Sequence, residues 1–307
     1  MTKYILRIIF SIFILYILSR AIEFSVLWGY LRTINLWWVA AALFLLILVR
    51  LVVSIKWQVI LRHHQIEIPF KELLSVVFIS MTLGQILPAG LGSDVVRAYK
   101  LSRKYGQTAD TTATIVIDRL VGMFSLFFVA FLGSIGAYVM AISTELIWWL
   151  IAINLLLLIG WNRLHLCTKI LEKVLPQNGN RFIRFQEALI RMSRIISDKK
   201  KIRIILPSIF GWSLVIQVIR CLVFFCLFVA FGQTINPLYY VIFVPIVFVV
   251  TLLPVSIGGL GLREGILVLL FSTVGVPAEV SIGAGLISQA LQIAAAIPVL
   301  LFWLFEK

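Results

Sequence analysis

Runs of about twenty apolar residues recur along this chain, and nothing else in it restricts the fold so much. A bilayer core takes roughly 20 residues of helix to cross. Runs of that order occupy 4–21, 36–55, 112–141, 145–162, 204–231, 238–256, 262–276 and 280–305. Backbone polar groups in lipid must be satisfied within the segment, so such runs are helical, and the alternation of a membrane β-barrel is absent. The expected fold is all-α, a polytopic transmembrane helix bundle forming a single domain over 1–307 with about seven or eight spans. The run at 4–21 ends in Leu18-Ser19-Arg20-Ala21 without a small-x-small cleavage site, and reads as a retained anchor.

Composition agrees. Hydrophobic residues make up 62% of the 307, charged residues 13%, and the mean hydropathy is +1.08. A soluble domain is about 45–50% apolar and about 25% charged, so a globule of this size could not hide this much apolar surface from water. The 27 Lys and Arg outnumber the 13 Asp and Glu, leaving a net charge of +14. They sit mainly between apolar runs, where positive charge orients spans and attracts anionic headgroups. Nucleic acid is not an expected partner. Three cysteines and three histidines show no ligand spacing, so no metal and no cofactor are expected.

Basic residues also set the expected orientation. The 163–203 segment holds eleven Lys and Arg against Glu172, Glu187 and Asp198, which makes it a cytoplasmic loop by the positive-inside rule. Within it Phe182, Phe185, Leu189, Met192 and Ile196 recur at helical spacing, the pattern of an amphipathic helix on the inner leaflet. A headgroup-gathering or regulatory role is the sharper alternative. Four basic residues between Arg97 and Lys104, and Lys56, Arg62 and Lys71 in the expected loop at 56–72, are expected on the same side. The apolar stretch 73–92 between them then enters and leaves on one side, as a re-entrant hairpin.

That stretch is broken by Pro88, Gly90 and Gly92 in the string Leu87-Pro88-Ala89-Gly90-Leu91-Gly92-Ser93-Asp94-Val95-Val96-Arg97. A similar string runs from Leu253 through Pro254, Gly258, Gly259 and Gly261 to Arg263, followed by Glu264. Proline ends a helix and glycine permits turns and close approach. In both strings an arginine follows the proline at the same offset. Corresponding Pro/Gly-broken segments in two halves of a membrane chain point to a central binding site and to an inverted repeat. On this reading 73–97 and 238–264 are broken segments of re-entrant type. Ordinary interfacial caps and a chance match are the competing explanation.

Ionisable groups at membrane depth are costly and mark function or a structural network. The candidates are Asp94, Arg97, Asp118, Arg119, Arg263 and Glu264, with Arg220 one turn from Gln217. Arg7 and Arg50 lie near span ends, where long side chains reach out to water. Asp94 and Arg97, three apart, can pair on one helix face, whereas Asp118–Arg119 and Arg263–Glu264 must seek partners elsewhere. The functional expectation is that Arg97, Arg119 and Arg263 meet phosphate oxygens, bidentately as guanidinium geometry allows, while Asp94, Asp118 and Glu264 hold them. Structural pairs such as Asp118 with Arg263, or Glu264 with Arg97, are the alternative.

At these residues the chain resembles the flippase-like family that includes the transmembrane region of lysylphosphatidylglycerol synthases. The strings that carry the likeness are Leu87 to Arg97 with Tyr99, Ile117-Asp118-Arg119-Leu120-Val121-Gly122, and Pro254 to Gly265. The resemblance implies a helical module that translocates aminoacylated phosphatidylglycerol or related lipids. The bifunctional synthases continue into a soluble transferase domain, and this chain stops at Lys307, so lysyl transfer is not expected.

The leading expectation is therefore a flippase or scramblase of the cell membrane, not an enzyme, moving an anionic or aminoacylated phospholipid or a lipid-linked phosphate. Anionic lipids are its expected partners, with a second copy or a separate lipid-modifying enzyme as further ones. No P-loop string occurs, so movement is downhill or coupled to an ion gradient through a carboxylate such as Glu264 or Asp118. An integral-membrane transferase acting on a lipid phosphate, a small-anion transporter and an assembly partner remain as alternatives.

Overall fold

The computed structural model describes residues 23–86, 92–105, 108–139, 199–251, 256 and 258–297, with a few residues before 23. The expected span at 145–162, most of that at 4–21, the amphipathic helix of the 163–203 loop, and Pro88, Gly90 and Pro254 lie outside them.

Among the described residues all regular structure is helical. In chain order the helices are α1 (Phe24–Arg32), α2 (Leu36–His63), α3 (Phe70–Ile86), α4 (Gly92–Tyr105), α5 (Thr108–Val139), α6 (Lys199–Ala230), α7 (Pro237–Thr251), α8 (Leu262–Phe271) and α9 (Ala278–Ala294). The start of α2 is set locally: the Asn35 side chain accepts the Trp37 N–H at 3.0 Å, satisfying one of the four orphan donors of the first turn.

Among the described residues three segments are long and apolar enough to cross a bilayer: Leu36–His63, Asp110–Gly133 and Ile204–Ala230. The shortest, at 24 residues, measures about 36 Å at the helical rise, against roughly 30 Å of hydrocarbon. They pack together, α2 lying along α6 and α5 against both. The helices α3 and α4 pair with each other and close onto α2 and α5, while α7 crosses α5, and α8 and α9 pack on each other beside α7 and α6.

Two differences from the sequence expectation matter for the site. First, α2 does not end near residue 55 but runs to His63, which carries Lys56 into the bundle instead of a loop. Second, the apolar run 262–276 is not one helix. Helix α8 stops at Phe271, a 3₁₀ turn covers Ser272–Val274, Gly275 takes a left-handed φ of 81°, and Pro277 precedes α9.

A helix opens within each Pro/Gly string. In the first, α4 opens at Gly92 with Asp94 in its first turn. In the second, Gly258, Gly259 and Gly261 adopt positive φ, and α8 opens with Glu264 in its first turn. A residue with a Cβ is strained in that region of φ, so the glycines are what allow the chain to turn there.

Helix α5 meets α7 at Gly133, where a Cβ would stand 3.0 Å from the Ile242 Cα and the Val241 carbonyl oxygen. Gly133→Val is expected to cost about 1–3 kcal/mol through overpacking and to lower the thermal unfolding midpoint in detergent. Gly211→Ala, in open space on α6, should leave that midpoint unchanged or raise it.

Candidate functional site

Five helices converge on a cavity of about 200 Å³. Helix α2 contributes Lys56, α4 contributes Ser93, Asp94 and Arg97, α5 contributes Asp118 and Arg119, and α6 contributes Ser213, Gln217 and Arg220. Met81 of α3 and the apolar Val53, Met123, Leu126 and Ile216 complete the wall. The α6 residues follow one another at spacings of four and three, which places them on one helix face.

Asp118 is the central acid. Its Oδ1 lies 2.7 Å from the Lys56 ammonium and its Oδ2 lies 3.4 Å from the Arg97 guanidinium. The Lys56 contact is a direct ion pair without the alignment of a hydrogen bond. All three residues are at least nine-tenths buried. Charges removed from water to this degree persist only when paired and further hydrogen-bonded, and each cation has such support. Lys56 donates to Ser213 Oγ at 3.2 Å. Arg97 donates from Nε to Ser80 Oγ at 3.3 Å and lies 5.1 Å from the centre of the Trp57 ring. Trp57 is held in turn by its indole N–H, which donates to Thr114 Oγ1 at 3.2 Å.

A second pair, Asp94 with Arg119, joins α4 to α5 at a partly exposed edge of the same cavity. Arg220 is placed differently. Its guanidinium donates to Gln217 Oε1 at 3.3 Å and stacks on Phe248 of α7 at 4.5 Å, and among the described residues no carboxylate contacts it. Gln217 is anchored across the cavity on Ser125 Oγ at 3.3 Å and the Gly122 carbonyl at 3.4 Å.

Four of the six residues singled out from sequence, Asp94, Arg97, Asp118 and Arg119, line this one cavity. Their pairing is crossed: Asp94 reaches Arg119 and Arg97 reaches Asp118, so the pairing of Asp94 with Arg97 along α4 gives way to bonds between helices. Arg263 and Glu264 stand apart from it. Arg263 is buried at the start of α8 and donates to Gln289 Oε1, to Ser288 Oγ at 3.4 Å and to the Gly258 carbonyl at 3.4 Å. Neither Asp118–Arg263 nor Glu264–Arg97 is among the pairs formed.

Lys56 and Ser213 were not legible as site residues. The available signal for Lys56 was that the apolar run resumes after it, through Val59, Ile60 and Leu61. Arg50, expected to reach out to water, is 2% exposed. It donates to Thr82 Oγ1 at 3.2 Å and to the carbonyls of Phe78 and Gln292, tying α2 to α3 and α9.

The fold and this cavity define an α-helical integral membrane protein with a paired-charge centre buried between its spans. The chain belongs to the family of the lysylphosphatidylglycerol synthase TM region, whose model matches residues 4–300. It is similar to two UPF0104 membrane proteins of Methanothermobacter thermautotrophicus. One is 25% identical over 267 residues, covering 77% of this chain and 74% of the relative. The other is 22% identical over 262 residues, covering 78% and 76%.

Removing Asp118 strands two buried cations. Asp118→Asn is expected to destabilise the protein by about 3–5 kcal/mol, read as a lowered unfolding midpoint in detergent. Asp94→Asn, at the exposed edge, should cost far less. Combining Lys56→Met with Asp118→Asn should recover part of the loss.

Proposed function

We propose that this protein translocates an anionic lipid across the bilayer, with the phosphate headgroup entering the cavity between α2, α4, α5 and α6. The observation that carries this reading is the charge balance of the cavity wall. Four cations, Lys56, Arg97, Arg119 and Arg220, face two carboxylates, Asp94 and Asp118, among the described residues. An excess of two positive charges at membrane depth is costly until an anion arrives, and guanidinium groups present donors in the geometry a phosphate accepts. Arg220, bound only to neutral groups among the described residues, is the cation best placed to meet the incoming oxygens.

The Asp94–Arg119 pair suits translocation because it can be exchanged: a phosphate can take Arg119, leaving the Asp94 carboxylate to water at the partly exposed edge, while Asp118 continues to hold Lys56 and Arg97. The apolar part of the wall offers a path for acyl chains beside the headgroup. Membership of a family named for the membrane region of a lysylphosphatidylglycerol synthase supports a phospholipid as the substrate class. The charge excess favours an anionic headgroup over an aminoacylated one, whose added amine would be repelled. The protein acts in this reading as a carrier in the cell membrane, with the 163–203 loop on the cytoplasmic side, and performs no chemistry on the lipid.

Proteoliposomes test the reading. Wild-type protein should move fluorescent phosphatidylglycerol or phosphatidate faster than phosphatidylcholine, and Arg119→Ala and Arg220→Ala should each lose most of that movement while inserting normally. Equal rates for anionic and zwitterionic lipids, or unchanged rates in both variants, would remove the cavity from the account.

A further inference from the structure

A second cavity, of about 240 Å³, lies between α5, α6 and α7. Val129 of α5, Cys221 and Phe225 of α6, and Tyr240 and Val241 of α7 form its wall, and no charged residue lines it. At its mouth Val218 and Leu222, four apart on α6, are 55% and 43% exposed. Both stand in the middle of the span Ile204–Ala230, so the medium outside the mouth is the hydrocarbon of the bilayer.

This cavity continues the charged one along the same helices. On α5, Leu126 lines the charged cavity and Val129, three residues on, lines the apolar one. On α6, Gln217 lines the first and Cys221 the second, and residues four apart share a helix face. Helix α7 runs back beside α6: Phe248 stacks on Arg220 at 4.5 Å, and Tyr240 meets Phe225 edge to face with ring centres 5.6 Å apart. Beyond Val129, α5 and α7 come together at Gly133 and Val241, which closes the far end. From Gln217 to Phe225 the α6 wall extends about 12 Å at the helical rise.

Water needs polar partners that such a wall does not offer, and an empty cavity forfeits dispersion contacts along its lining. A cavity that opens onto lipid takes hydrocarbon. We propose that it holds an acyl chain of the lipid whose phosphate occupies the charged cavity, so that the two form one elongated site. The proposal rests on the anionic-lipid reading of the charged cavity. The order of the two parts fits a lipid. Asp118 lies nearer the Asp110 end of its span and Val129 nearer the Gly133 end. Headgroup and chain therefore follow one another along α5 as they do in a lipid of the leaflet where that span begins. The charged cavity selects the headgroup, and the apolar one adds affinity that grows with the length of chain buried.

Photo-crosslinking tests this directly. Purified wild-type protein in detergent is irradiated with phosphatidate carrying a diazirine near the end of a decanoyl chain, and the adducts are mapped by mass spectrometry. Adducts should fall at Val129 and between Val218 and Phe225, and unlabelled didecanoyl phosphatidate should suppress them several-fold better than didecanoyl phosphatidylcholine. Decanoyl chains cover the length of the wall and hexanoyl chains do not. Wild-type protein should therefore bind didecanoyl phosphatidate several-fold more tightly than dihexanoyl phosphatidate. Val218→Trp, which places an indole across the mouth, should remove most of that difference.

Adducts confined to other segments would overturn the proposal, and are the result expected if the apolar run 145–162 or a second copy of the chain covers the groove. Adducts suppressed equally by phosphatidylcholine, the mark of bulk lipid, would overturn it too. Crosslinking needs no substitution, so it decides even where V218W folds poorly. Phosphatidate binding that requires Arg220 but ignores chain length would remove the chain site and leave the anionic-lipid reading standing. Equal binding of both headgroups, unchanged in Arg220→Gln, would refute that reading and the proposal with it.

Discussion

A single carboxylate organises this bundle. Asp118 takes Lys56 from α2 and Arg97 from α4 onto its two oxygens, in an interior where each charge alone would be expelled. Lys56 reaches on to Ser213 of α6, and Arg97 reaches back to Ser80 of α3. Five helices are thus registered against one another by groups that have no alternative partner in lipid. Hydrocarbon packing alone does not give such register, because apolar helix faces pack against one another and against acyl chains with similar energy.

The fold class was legible because lipid imposes it. Twenty-residue apolar runs force helices, and α2, α5 and α6 stand where 36–55, 112–141 and 204–231 were read. Their ends were less legible. A lysine looks like a boundary, yet Lys56 continues α2 because Asp118 and Ser213 compensate its charge, which no local pattern reveals. Arg50 is the same case, its charge met by a hydroxyl and two carbonyls on distant helices. The break at Gly275 and Pro277 divides a run whose hydropathy alone looked continuous.

The site was half legible for the same reason. Charge inside an apolar run marks Asp94, Arg97, Asp118 and Arg119, and all four line one cavity. Which acid meets which base depends on helix crossing, and spacing along α4 suggested Asp94 with Arg97 when the actual bonds run to α5. Arg263 and Glu264 answer to the same criterion but belong to the α8–α9 contact.

The central claim is that the excess positive charge of the cavity is an anion site, and Arg220 is where it is most directly tested. A ligand that binds the folded state raises the unfolding midpoint in proportion to its occupancy. Thermal unfolding of purified protein in detergent, with and without short-chain phosphatidate or short-chain phosphatidylcholine, reads this without any transport assay. The account predicts a rise with phosphatidate that phosphatidylcholine does not give and that Arg220→Gln abolishes. Equal shifts with both lipids, or a phosphatidate shift undiminished in Arg220→Gln, would contradict it.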